Sequence, residues 1–224
     1  MISEPRTISR NVELLHIPIQ HEPQVLRDIY VEVSRSCGYE NFIRARDGAR
    51  LECAGGEGRG LSRVVFMKDR ITFQEEQGDT SLEHLLRRIE EVVNTATDRI
   101  SLPLFVCRNV TQRAIASVTQ GKHSAQFLAE NLFQLTPDHL GPLGRPAHLL
   151  GVRLHCPPPD IKEGSHQIRI ESYLRDPRAL FVEDVASFKM PVQSRDHARI
   201  ATELREVEKF LNEQVHAFLS QFPG

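Results

Sequence analysis

Apolar residues recur at spacings of three and four residues in several segments of the chain, a pattern that predicts amphipathic helices. The first such segment begins at Pro23, a residue favoured at the first helical position, and stops at Gly38. The second follows Thr80, which forms a capping box with Glu83, and carries its apolar stripe over residues 82–93. We therefore predict one helix before Gly38 and a longer one after Thr80.

Two further helices are predicted in the second half of the chain. Ser124 is placed to cap a helix whose apolar residues lie toward one side. The last helix spans about residues 196–221 and has a full apolar stripe opposite a charged side. The residues of this charged side are Glu203, Arg205, Glu206 and Glu213. We expect the stripe to cover a sheet, and an interface with a partner is the alternative.

Short runs of apolar and β-branched residues between the helices predict strands. In the first half these runs are residues 12–19, 42–46, 50–54, 64–67 and 71–74. In the second half they are residues 104–118, 149–156, 166–174 and 179–185. Apolar and polar residues alternate from Ile168 to Leu174, which indicates an antiparallel strand with one solvated face. Turn signals between the early strands predict an antiparallel meander.

The order of the predicted elements is the same in the two halves: strand, helix, several antiparallel strands and long helix. This order predicts an α+β fold of two pseudo-repeated units, residues 1–101 and 102–224, within one compact domain. The expected architecture is a curved antiparallel sheet covered by helices, as in the TATA-binding protein or the helix-grip folds. That comparison concerns the fold alone. Two unrelated subdomains are the alternative, because the halves share no convincing residue identity.

The composition is that of a globular protein. Hydrophobic residues make up 40% of the chain, and 28 Lys plus Arg against 30 Asp plus Glu give a net charge of −2. Without a positive net charge, non-specific affinity for duplex nucleic acid is not predicted. No apolar run approaches the roughly 20 residues that cross a bilayer, and the N-terminal residues lack an apolar signal segment. We therefore expect a cytoplasmic protein.

Charged residues inside the predicted strands are the main candidates for chemistry. Arg108 and Arg113 lie in one strand, and the odd-numbered side chains of the later strands share a face if those strands pair. Arg on an open sheet face suits bidentate recognition of an anionic group. The candidate ligand-binding residues are Arg153, Arg169, Glu171 and Tyr173. The alternative is a solvated face that carries cross-strand ion pairs and no ligand.

No motif of the chain predicts a catalytic centre, a metal site or a cofactor. The cysteines lie too far apart for a CxxC pair, and they are Cys37, Cys53, Cys107 and Cys156. His155, Cys156 and His166 could supply zinc ligands from neighbouring strands, but the prolines between them leave the register open. The glycine cluster of residues 55–60 precedes a strand instead of a helix, so it predicts a hairpin loop and no phosphate site.

One segment resembles a known group of proteins. Residues 167–182, with the pattern RIE, hydrophobic residues, RDPR and hydrophobic residues, precede the last helix. This hairpin resembles the late segment of a sporadically distributed family of uncharacterised bacterial proteins of about this size. Together with the last helix, the resemblance covers about a quarter of the chain. It implies a bacterial cytosolic protein, and it implies no activity and no functional residues.

Three hypotheses for the function follow from these observations. The first is a non-enzymatic binding or interaction protein that self-associates or recognises a protein partner. The second is the binding of nucleic acid or an anionic small molecule on the Arg-bearing sheet face. The third is an enzyme with a His/Cys or His/Asp centre, for which His155 or His166 would have to lie within hydrogen-bond reach of a nucleophile in a pocket. The absence of a catalytic motif favours the first hypothesis over the third.

Overall fold

The computed structural model describes residues 2–53, 60–76, 81–118, 123–145 and 149–222. The elements of the first half are β1 (Arg6–Leu15), α1 (Pro23–Cys37), β2 (Asn41–Ala45), β3 (Gly48–Cys53), β4 (Leu61–Met67), β5 (Arg70–Glu76) and α2 (Leu82–Arg99). Most of the glycine cluster predicted as a loop, residues 54–59, lies outside the described residues.

The second half also runs from strands through helical segments to further strands and a long final helix. Its first part comprises β6 (Leu104–Phe105), β7 (Cys107–Ser117), α3 (Ser124–Phe127) with a π-helical turn (Leu128–Leu132), α4 (Pro137–Leu140) and a 3-10 turn (Gly141–Leu143). Its second part comprises β8 (Gly151–Cys156), β9 (Ser165–Ser172), β10 (Ala179–Phe188), β11 (Val192–Gln193), α5 (His197–Lys209) and α6 (His216–Ser220). A π-helical segment, Phe210–Val215, joins α5 to α6 in one long helix.

Nine strands of the described chain form one open, curved, antiparallel sheet in the order β2-β3-β4-β5-β1-β7-β10-β9-β8. Strand β1 of the first half and strand β7 of the second half pair at the centre, and the other strands of the sheet follow outward on each side. The α+β class and the curved antiparallel sheet are therefore confirmed. The first half contributes five of these strands and the second half four. A true duplication with its boundary near residue 101 stays a prediction.

All long helices cover the same face of the sheet. In β7, the even-numbered residues from Arg108 to Ala116 are buried, and their odd-numbered neighbours lie on the other face. Val110 belongs to a core cluster with residues of α1, α2 and α5, and Ala114 to a second cluster with α3 and the last helix. The apolar stripe of the last helix thus packs on the sheet, as predicted. None of these long helices lies on the opposite sheet face.

Local signals explain where the helices begin and end. Gly38 ends α1 with a φ of 73°, a left-handed conformation that glycine adopts without strain. Asp196 caps α5 by accepting a hydrogen bond from the Arg199 N–H at 3.0 Å. The N-cap of α2 is Ser81, whose side chain accepts from the His84 N–H. The cap is therefore one residue later than the predicted Thr80, which lies outside the described residues.

The first strand begins and ends earlier than predicted. The sequence predicts residues 12–19, whereas β1 spans Arg6–Leu15 and pairs with β5 and β7 on its two sides. Pairing on both sides supplies partners for the backbone of the polar residues that precede Val12. Pro18 has no N–H to donate to a ladder, and the chain leaves the sheet before it.

Candidate ligand-binding site

The register of β8, β9 and β10 brings the predicted site residues onto the open face. Arg153 of β8 is paired with Arg169 of β9, and Glu171 is paired with Gly151 on one side and Phe181 on the other. Tyr173 follows β9 in the same alternation. The structure therefore places Arg153, Arg169, Glu171 and Tyr173 together, as the period-two pattern predicts.

These residues line a cavity of about 650 Å³ beside β8. We call it the Arg153 pocket, and its lining includes Arg153, Arg169, Glu171, Tyr173, Arg175 and Phe181. The lining thus contains three arginines and one glutamate. Such a cavity is within the size range of small-molecule sites in proteins.

Arg169 is held in place by its neighbours. Its Nη2 lies 3.1 Å from Glu183 Oε1, and its Nη1 lies 3.8 Å from Glu171 Oε1. The guanidinium carbon also lies 4.9 Å above the centroid of the Phe181 ring, a cation–π arrangement. The charge of Arg169 is therefore largely compensated by the two glutamates, and these contacts fix the position of its side chain.

Arg153 is exposed and makes no ion pair with the described residues. Arg175, in the turn after β9, is also exposed and has no ion-pair partner in the described chain. The positive charge that remains for a ligand therefore comes from Arg153 and Arg175, whereas Arg169 forms the fixed floor between them.

The apolar wall of the pocket is aromatic. The rings of Tyr173 and Phe181 lie nearly parallel, with 6.4 Å between their centroids and 16° between their planes. Gly151 completes the wall, and a Cβ atom added there would lie 2.8 Å from the Cβ of Glu171. Glycine at this position therefore lets β8 and β9 approach closely beside the pocket.

A second hollow of about 200 Å³ lies on the same face. Its lining shares Arg153 and Arg169 with the Arg153 pocket and adds His155, Gln167 and Val185. Arg153 and Arg169 therefore lie between the Arg153 pocket and the second hollow. Together the two hollows extend along β8 from Gly151 to His155.

Several arginines on the remainder of the open face have an acidic partner. Arg113 pairs with Glu183 at 2.6 Å, Arg70 with Glu13 at 3.5 Å and Arg50 with Glu52 at 2.9 Å. These pairs match the solvated, ion-paired face that the sequence offered as the alternative. The open face is therefore not a continuous basic stripe.

Arg108, on the same strand as Arg113, lies on the other face and is fully buried. Its guanidinium donates to both carboxylate oxygens of Glu203, at 2.9 and 2.5 Å, and to the carbonyl of Met190. The sequence placed Glu203 on the solvated side of the last helix, and this prediction is wrong. The arginine from β7 offers the buried carboxylate a bidentate partner, which stabilises it inside the protein.

Of the three His and Cys residues considered as zinc ligands, two come together in the structure and the third does not. Cys156 and His166 are register partners on the covered face, whereas His155 points to the open face and is exposed. His166 Nδ1 lies 2.8 Å from Asp184 Oδ2, and Phe210 stacks on the imidazole ring. The described residues contain no group of three or more His, Cys, Asp or Glu suited to a metal ion.

The titration behaviour of these groups is set by burial. Burial raises the pKa of Asp184, although the hydrogen bond with His166 opposes that shift. Burial also raises the pKa of the Cys107 thiol, which is the opposite of what a nucleophile needs. For Cys37, burial and the nearby Glu91 raise the pKa to about 12. Neither thiol is therefore activated.

No protein-family model and no curated protein matches this chain. The resemblance of residues 167–182 to a bacterial family accordingly stays a prediction. Among the described residues, no helix combines the length and the apolar character needed to cross a membrane.

Proposed function

We propose that the protein is a non-enzymatic binding protein and that the Arg153 pocket is its ligand site. The observation that carries the proposal is the meeting of Arg153, Arg175 and an aromatic wall in one cavity on the open sheet face. Two of its arginines lack an ion-pair partner among the described residues, whereas most arginines elsewhere on that face have one.

The lining indicates the chemistry of the ligand. A guanidinium recognises carboxylate or phosphate through two parallel hydrogen bonds. The rings of Tyr173 and Phe181 offer an apolar surface next to these donors. The pocket therefore suits a ligand that joins an anionic group to an apolar or aromatic part.

Titration with small anions tests this proposal. The probes are phenylacetate, phosphotyrosine, citrate and inorganic phosphate, followed by calorimetry and by the shift in Tm. We expect the aromatic anions to bind best and Arg153→Ala to weaken them at least tenfold. Arg50→Ala is the matched control, because Arg50 lies on the open face of the other half and pairs with Glu52.

The proposal fails if none of the four anions raises Tm, or if Arg153→Ala and Arg50→Ala behave alike. Sustained turnover of ester, phosphate or nucleotide substrates by the pure protein would contradict its non-enzymatic character. Such turnover would favour the hypothesis of an enzyme.

Nucleic acid is the second candidate ligand, favoured by the open face of the curved sheet. The compensated pairs of Arg113, Arg70 and Arg50 weigh against it, because phosphate contacts need free positive charge. Nucleic-acid binding predicts a 260 nm absorbance signature in the purified protein and an affinity that falls steeply with salt. An absorbance spectrum without a nucleic-acid contribution at 260 nm favours a small anionic ligand in the Arg153 pocket.

Location and assembly belong to the same proposal. We propose a cytoplasmic location, and we infer a protein partner or self-association from the similar order of elements in the two halves. Light scattering on freshly purified protein in reducing buffer measures the native mass. A defined dimer supports self-association. A monomer favours the alternative, which is association with a different protein.

A further inference from the structure

The strand β8 ends the sheet and leaves its outer side unpaired by any strand of the described chain. The N–H of Ser172 donates to the carbonyl of Leu150 at 3.0 Å, so Leu150 is hydrogen-bonded toward β9. Residue pairs that exchange backbone hydrogen bonds alternate with pairs that do not along an antiparallel ladder. The N–H and C=O groups of Gly151, Arg153 and His155 therefore point outward, and all three residues are exposed.

The two ends of the sheet differ at this position. In the first half, β2 covers the outer side of β3. In the second half, the segment before β8 forms α4 and a 3-10 turn in place of a strand. Pro142 in that turn lacks the N–H that a ladder needs. The second half therefore presents the edge that the first half covers with its own chain.

The edge of β8 has few of the features that usually block strand addition. Native edges are protected by proline, bulges, charged side chains or a covering segment, and of these β8 carries one charged residue, Arg153. The strand β8 contains no proline, and its register with β9 runs without a shift from Gly151 to Cys156. Two exposed leucines, Leu149 and Leu174, lie beside it at the mouth of the Arg153 pocket.

We propose that an extended segment of a partner protein adds to β8 as a tenth strand and sets an acidic side chain against Arg153. This proposal rests on the proposed function of the Arg153 pocket. Main-chain hydrogen bonds to Gly151, Arg153 and His155 give the affinity, and alternate side chains reach the two hollows on either side of Arg153. Residues two apart on a strand lie on the same face, about 7 Å from each other.

Charge selects the partner over a second copy of this chain. A symmetric pair of β8 strands places the two Arg153 side chains opposite or diagonal to each other on one face, whichever central residue lies on the axis. Like charges at these positions destabilise a sheet. An acidic residue of another protein instead offers Arg153 the ion-pair partner that the described chain does not supply.

Selection from a random nonapeptide display library against the full chain tests the proposal. We expect enriched peptides with alternating polar and apolar residues, an acidic residue near the centre and no proline there. N-methylation of successive residues in an enriched peptide should weaken binding at least tenfold at every second position, because only alternate N–H groups face β8. If N-methylation weakened binding without this alternation between successive positions, strand addition would be overturned.

Two variants at one position separate the backbone from the side chain. His155→Pro removes an outward N–H and no bond to β9, whereas His155→Ala removes the side chain and keeps that N–H. We expect enriched peptides to bind His155→Pro at least tenfold more weakly than His155→Ala. Circular dichroism checks that both variants fold. If His155→Pro does not fold, the N-methylation series decides alone.

The remaining outcomes distinguish this proposal from the proposed function. If small anions bind in an Arg153-dependent manner and no peptide is enriched, strand addition is overturned and the pocket stands. If peptides add to β8 and Arg153→Ala leaves their affinity unchanged, the acidic contact is overturned. Dimerisation without peptide that His155→Pro abolishes would identify a second copy as the occupant. Failure of both probes rejects both proposals.

Discussion

Arg108 and Arg113 lie on the same strand, β7, and face opposite sides of the sheet. The side chain of Arg108 is 0% exposed and that of its partner Glu203 is 1% exposed. Arg113 is 40% exposed and pairs with Glu183 through a single contact at 2.6 Å. A buried charge that loses its partner finds no water to replace it, whereas a half-exposed charge does. The covered face should therefore depend on its ion pair for stability, whereas solvent screens the ion pairs of the open face.

The largest expected effect lies on the covered face. Glu203→Gln leaves the buried Arg108 without a countercharge and should lower the free energy of unfolding by roughly 3–5 kcal/mol. Urea denaturation followed by circular dichroism measures this change. The double variant Arg108→Met with Glu203→Leu is the control, because it removes both charges and keeps apolar volume. A loss below about 1 kcal/mol for Glu203→Gln would remove the contrast between the two faces.

An intermediate, pH-dependent effect is expected at Asp184, which lies on the covered face beside His166. Because burial raises its pKa in the folded state, its stabilising contribution is complete below the ordinary value of 3.8 and is lost as the pH rises through the raised value. Relative to Asp184→Asn, the parent protein should therefore lose stability over that rise. Unfolding by urea at a series of pH values measures the difference, and two parallel curves would contradict it.

The smallest effect is expected on the open face. Arg113→Ala should change the free energy of unfolding by less than about 1 kcal/mol, because solvent screens the pair. Glu183 also keeps a second partner, since Arg169 lies 3.1 Å away. The same urea experiment checks this value. A loss comparable to that of Glu203→Gln would show that the open face is as dependent on its ion pairs as the covered one.

The candidate site was predictable because it follows from local periodicity. Arg153, Arg169, Glu171 and Tyr173 are all odd-numbered positions of antiparallel strands, so one face collects them whenever β8 pairs with β9. Two other lining residues were not predicted: Arg175 lies in the turn after β9, and Phe181 reaches the pocket through the register of β10 with β9. The odd number of Phe181 in a strand of alternating residues was the available signal.

Glu203 shows where periodicity misleads. The helical pattern placed this residue opposite the apolar stripe, and its partner Arg108 lies 95 residues earlier in the chain. A carboxylate is stable in the interior only if such a partner arrives from another element. No local window contains that information.

Periodicity and capping residues alone determine the helices, the half-solvated strands and the α+β class of this protein, because backbone hydrogen bonding and amphipathic burial act over neighbouring residues. The order of strands, the burial of Arg108 with Glu203 and the exposure of the β8 edge depend on contacts between distant segments. Which strand ends a sheet is decided by the packing of the whole chain. The edge that we propose as a docking site therefore became visible only once the sheet was assembled.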